Sequence, residues 1–165
     1  MREAVAELLS QFLSSNGVVF ILSMLPISEL RGAMIYAASV DVPLHVALPL
    51  SIIGNLIPVL PILLLLDPVS RWCSRFSIGE RFFNWVFERA RTKSEKVKRY
   101  ETFGLTIFVC IPLPVTGAWT GAAIAFVLGL KKRNAFLAIT AGVVIAGVIM
   151  TVIAYGTAAA LRILF

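Results

Sequence analysis

Two long apolar blocks of this chain are each interrupted at mid-length by residues that a lipid-facing helix does not tolerate, and this limits the fold more than any other feature. In block 17–40 the middle reads Pro26-Ile27-Ser28-Glu29-Leu30-Arg31-Gly32, a helix breaker followed by two opposite charges. The flanking pieces 17–25 and 32–40 hold nine residues each, about 13 to 14 Å of helix against a hydrocarbon core of about 30 Å. Each piece covers nearly half a bilayer, so the expected structure is a re-entrant helical hairpin with its tip near the midplane. Block 103–130 is broken in the same way by Pro112-Leu113-Pro114-Val115-Thr116-Gly117-Ala118-Trp119-Thr120-Gly121.

The two breaks align. Pro26 falls on Pro114 and Ser28 on Thr116, and one extra residue then sets Gly32-Ala33 on Gly121-Ala122. After a short polar joint (Asp41-Val42-Pro43; Lys131 to Asn134) each broken block is followed by an apolar block without such a break. The chain therefore reads as an internal repeat of hairpin plus span. Repeated discontinuous helices of this kind build transport sites where the repeats meet. Composition agrees with a bilayer setting: of 165 residues 59% are hydrophobic, 15 are Lys or Arg and 9 Asp or Glu, and the mean hydropathy is +0.91. A soluble domain has about a quarter of its residues charged, which argues against a water-soluble enzyme.

The expected fold is thus an all-α integral membrane protein in one membrane domain, an inverted repeat of two re-entrant hairpins, each followed by a transmembrane helix. Residues 1–16 form an amphipathic helix ended by Asn16-Gly17. Repeat 1 covers 17–66, with hairpin 17–40 and span 43–66, and repeat 2 covers 103–160, with hairpin 103–130 and span 135–157. Between them lies a basic segment, 67–102, with nine Lys/Arg against five acids, read as interfacial helices with basic outer faces. Its aromatics sit on the apolar stripe and not among the basic residues, which argues against nucleic-acid binding.

If both hairpins re-enter, the linker and Lys131-Lys132-Arg133 lie on one face and collect 12 of the 15 positive charges. By the positive-inside rule that face is cytoplasmic and both termini lie outside, in a multi-pass protein of the cytoplasmic (inner) membrane. If all four blocks span, the charge balance is similar. The cost of Glu29 and Arg31 on a continuous lipid-facing helix favours re-entry. The N-terminus lacks the cleavage pattern of a secretory signal and is expected to stay on the mature chain. Cys73, Cys110 and His45 have no partners at ligand spacing, so no disulfide framework, metal site or cofactor is expected.

The residues able to carry chemistry cluster at the breaks. Ser28 and Thr116 stand where helix N-caps belong, and two helix N-termini at mid-membrane would favour an anion. Arg31 adds a guanidinium fork suited to phosphate, and Glu29 either neutralises it or takes up a proton. The plainer alternative is a buried ion pair that fixes the tip. Gly32, Gly117 and Gly121 allow close approach of tip or ligand, and turn requirements account for them equally. Trp119 and Thr120 share the second tip. Asn55, beside Gly54 and ahead of Pro58 and Pro61, suggests a kinked span with one polar side chain facing a cavity. Ala138, Gly142 and Ala146 form a small-residue stripe for close helix contact, and the oligomeric state stays open, a homo-oligomer included.

The two tips and the Gly54-Asn55 span resemble the small bacterial and archaeal family of small multi-drug export proteins over almost the whole chain. That family resembles in turn the DedA superfamily, in which paired re-entrant hairpins and lipid movement, including recycling of undecaprenyl phosphate, are described. The resemblance implies a membrane transporter in which Glu29 and Arg31 stand for the acidic and basic residues of DedA-type proteins. Lys131, Lys132 and Arg133 lie beyond the second arm and are a poor match for the arginine-rich motif of some DedA proteins. The leading expectation is a flippase for an anionic lipid phosphate, with a midplane site between the hairpin tips. The alternative is export of small amphipathic cations by proton antiport through Glu29, and a further alternative is a non-transporting scaffold. Thiol labelling with an impermeant reagent tests the topology. With re-entrant hairpins, native Cys73 and a Lys132→Cys substitution both label only after permeabilisation. Labelling of Lys132→Cys alone in intact cells shows that the second broken block spans.

Overall fold

The computed structural model describes residues 13–73, 95–113 and 116–164, and among them it is helical with no strand. The helices are α1 (Ser15–Met24), α2 (Glu29–Ser39), α3 (Leu44–Leu56), α4 (Val59–Cys73), α5 (Glu95–Cys110), α6 (Ala118–Val127) and α7 (Lys132–Leu164). Two stretches are long and apolar enough to cross a membrane, Leu44–Leu66 and Lys132–Ala160. The amphipathic helix expected over 1–16 and most of the basic segment lie outside the described residues.

Boundaries differ from the expected ones in two places. Asn16-Gly17 does not end a helix but lies in the first turn of α1, whose cap is Ser14: its hydroxyl accepts from the Gly17 N–H at 3.4 Å. Cap geometry outweighs the turn propensity of Asn-Gly once apolar residues follow. The composition change at Asp67-Pro68 does not end α4, which continues to Cys73. The first apolar span is interrupted at Ile57-Pro58, between α3 and α4, where the prolines lead one to expect a kink. Pro58 and Pro61 have no N–H to offer the carbonyls of Gly54 and Ile57, so the ladder lapses there.

Packing divides the chain into two units. Unit 1 takes the described residues up to Pro58 and from Val143 onward, and unit 2 is Val59–Gly142. In unit 1, α1, α2 and α3 pack on one another; in unit 2, α6 packs on α4 and α5. Both interiors mix small residues (Ala33, Ala37, Ala38 and Ala47 in unit 1; Ala118, Ala122, Ala125 and Ala138 in unit 2) with large ones, Leu30 and Met34 in unit 1 and Leu105 and Ile139 in unit 2. Large apolar side chains also point outward: Val152 is 71% exposed, Leu64 57% and Leu137 56%. An apolar exterior with small residues at helix contacts is expected where lipid is the solvent and close backbone approach holds helices together.

Each unit contains the same three local solutions. At both breaks a hydroxyl returns to the end of the first arm: Ser28 Oγ donates to the Leu22 carbonyl, and Thr116 Oγ1 to the Ile111 carbonyl at 2.8 Å. Both second arms end in a Schellman motif, with Val42 N–H on Ala37 O at 2.9 Å and Leu130 N–H on Ala125 O at 3.0 Å. The left-handed residue is Asp41 (φ 59°) in one and Gly129 (φ 66°) in the other. The third is a glycine ten residues after the first residue of the following helix, Gly54 in α3 and Gly142 in α7. A Cβ at Gly54 would lie 2.8 Å from the Phe20 carbonyl and against Ser23 Oγ, and one at Gly142 2.9 Å from the Thr106 carbonyl. Each glycine thus lets its helix rest on the backbone of the preceding hairpin's first arm. Gly54→Ala and Gly142→Ala are each expected to destabilise the fold by about 1 to 3 kcal/mol. Gly156→Ala, in open space, should be neutral or stabilise by up to about 1 kcal/mol; thermal unfolding in detergent measures all three.

Candidate functional site

The first break begins with a missing donor. Pro26 has no N–H for the carbonyl of Leu22, which in α1 would otherwise bond to residue 26. The Leu25 N–H at 3.3 Å and the Ser28 hydroxyl take its place. Ser28 does not serve as the side-chain cap expected from its position. It has helical φ and ψ in place of the extended backbone of an N-cap, makes no side-chain cap bond to α2, and turns its hydroxyl proton to the carbonyl that the proline leaves open.

Glu29 follows with φ 49°, its N–H still donating to the Leu25 carbonyl at 2.9 Å. A left-handed backbone at a residue other than Gly, Asn or Asp costs of order 1 to 2 kcal/mol, and such strain collects at functional sites. The side chain is 7% exposed and sits in the first turn of α2, where the helix dipole favours a negative charge. Arg31, two residues on, is half-buried and makes contacts of its own. Gly32 is required by the turn: a Cβ there would lie 2.6 Å from that of Ser28.

Unit 1 holds more polar groups than the tip alone. Among the described residues the fully buried polar side chains are Ser23, Ser28, Glu29, Ser51 and Asn55, and all belong to this unit. Asn55 is 3% exposed, enclosed in the interior. Ser51 is one turn before it on α3 and completely buried, and neither the Ser51 hydroxyl nor Asn55 Oδ1 has a hydrogen-bond partner. Ser23, whose hydroxyl donates to the Phe20 carbonyl at 2.6 Å, lies against α3 at Gly54. Ser23 and Ser51 were not singled out from sequence, where single serines in apolar helices carry little signal. The available sign was the spacing Ser51–Asn55 around Gly54, which puts two polar groups on one helical face.

The second tip belongs to unit 2. Thr116 is not the cap of α6. Its hydroxyl accepts from the Leu113 N–H and donates back to Ile111 and Leu113, and Gly117 (φ 158°) holds the cap position without a side-chain bond. Trp119 and Thr120 are half-buried, and the Thr120 hydroxyl donates to the Gly117 carbonyl at 3.3 Å. Gly121 faces α5, where a Cβ would stand 2.7 Å from Val109 Cγ2. The structure therefore gathers Ser28, Glu29, Arg31, Gly32 and Asn55 in unit 1, and Thr116, Gly117, Trp119, Thr120 and Gly121 in unit 2.

Comparison with known proteins gives no match among curated proteins and none among solved structures. A family model described as "Putative small multi-drug export protein" matches residues 29–149, from the buried glutamate of the first break to the middle of α7. The match takes in both breaks' second arms, the first apolar span and the first part of the second, and the chain belongs to the small multi-drug export protein family.

Proposed function

We propose that the protein is a secondary transporter that exports small amphipathic cations in exchange for protons, with Glu29 as the carboxylate for which both compete. The observation that carries this reading is Glu29 itself, a carboxylate 7% exposed, held at φ 49° between short apolar helices. An acid in such surroundings is costly to keep and strained to hold, and ionisable groups at membrane depth are functional by default. Proton and organic cation meet the same negative charge, so binding of one displaces the other, which is the minimum an antiporter requires. The family description supports export as the direction.

In this reading the two hairpins re-enter the membrane and form an inverted repeat. Helix lengths support it: α1, α2 and α6 have 10, 11 and 10 residues, about 15 to 17 Å each, half of a hydrocarbon core. The matched hydroxyls, Schellman motifs and glycine contacts of the two units support it as well. The basic segment 67–102 then faces the cytoplasm and the termini face outward.

A second reading, movement of an anionic lipid phosphate, draws on Arg31 and on the N-terminus of α6, where Gly117 provides no side-chain cap and backbone N–H groups favour an anion. The kinship with DedA proteins that suggests it rests on the sequence resemblance.

Reconstitution in vesicles with an imposed pH gradient separates the readings. Efflux of a quaternary ammonium dye should fall at least about 100-fold in Glu29→Gln, while Arg31→Ala keeps most of it. Loss of phospholipid-phosphate translocation in Arg31→Ala, with no dye transport by the parent protein, would instead select the second reading. Glu29→Gly gives an independent check. Relief of the left-handed strain should raise stability by about 1 kcal/mol while transport is lost. A glycine variant that transports as well as the parent would remove Glu29 from the mechanism.

A further inference from the structure

From the unpartnered oxygens of α3 we infer a binding site for a dehydrated alkali-metal cation at the C-terminal turn of that helix, formed by Ser51 Oγ, Asn55 Oδ1 and the Gly54 carbonyl. Ser51 is 0% and Asn55 3% exposed, and neither side-chain oxygen has a hydrogen-bond partner. A buried amide oxygen accepts only, so it needs a donor or a cation, and an unmatched one is expensive. A serine inside a helix ordinarily satisfies its hydroxyl on the carbonyl one turn back, as Thr151 does on Gly147 at 2.9 Å. Ser51 forgoes that bond.

The surroundings select the sign of the ligand. Ser51 and Asn55 are one turn apart on the same face of α3, in its last two turns, where the helix dipole is negative and favours a cation. Pro58 has no N–H, so the Gly54 carbonyl lacks the donor that an uninterrupted helix would supply. Ser23 packs at the same level of α3, its hydroxyl already turned to the Phe20 carbonyl. The available donors are neutral, hard oxygens, which suit an alkali cation better than a transition metal or a divalent ion needing several carboxylates. A carbonyl freed by proline beside buried side-chain oxygens is a physical means of holding such an ion within a bilayer. The site lies entirely within unit 1 and goes beyond the export reading, since its test needs no substrate.

The purified full-length protein is heated in detergent at constant ionic strength in lithium, sodium, potassium or N-methylglucamine chloride. A ligand held only by the folded state raises Tm with its concentration, so one alkali ion should give a saturable rise that N-methylglucamine does not. Asn55→Leu, of similar volume, should weaken that ion's apparent affinity at least tenfold while its Tm in N-methylglucamine equals or exceeds that of the parent, because the unmatched oxygen is gone. Ser51→Ala is a smaller change that should weaken affinity at least threefold, and it decides the matter alone if the leucine variant does not fold. Identical Tm in all four salts, or an unchanged ion response in Ser51→Ala, overturns the site and assigns the two oxygens to bound water.

Discussion

A backbone carbonyl that a proline deprives of its helical donor governs the first break in this molecule. In water such carbonyls would be solvated, but in an apolar interior each must find a partner within the protein. At the first break the Ser28 hydroxyl supplies it to Leu22. At the second, Pro112 and Pro114 withhold donors from Phe108 and Cys110, while the Thr116 hydroxyl donates to the carbonyls of Ile111 and Leu113. Both breaks thus pair proline with a hydroxyl that bonds back to the end of the first arm, but only at the first does that bond replace the donor the proline removed. Everything else at the first tip depends on this turn: it holds Glu29 left-handed and buried, and it starts α2 where the glutamate lies at the positive end of the dipole.

The two units solve the same packing problem with different residues. Asp41 and Gly129 both end a second arm in the left-handed conformation; aspartate tolerates it through local hydrogen bonding, glycine by having no Cβ. Gly54 and Gly142 let the next helix rest on the preceding arm's backbone. The polar residues, however, are not shared equally. Among the described residues the buried polar ones fall in unit 1, so the two units share local packing devices without sharing these polar residues.

Much of this was legible beforehand. The breaks at Pro26 and at Pro112 to Gly121, the alignment of Ser28 with Thr116 and the small-residue stripe of α7 follow from helix periodicity and from the chemistry of proline, which act locally. The caps were misread. Ser28 and Thr116 stand where caps belong in the sequence, but Ser28 has helical backbone, the cap position of α6 falls on Gly117, and both hydroxyls bond to backbone behind the break. Ser23 and Ser51 were missed because burial of a short polar side chain depends on which helices surround it, and no local pattern encodes that.

By itself the amino-acid order determined the class of solvent and the places where proline breaks the helices, because hydropathy and proline act over a few residues. Only the tertiary structure decided that Glu29 is buried in a strained backbone and that Asn55 and Ser51 are enclosed without partners. It also decided that Gly54 and Gly142 are contact points and not points of weakness. Those properties arise where α1, α2 and α3, or α5 and the first half of α7, come within backbone distance. Such contacts join residues far apart in the chain, and their energies depend on what has been excluded between them.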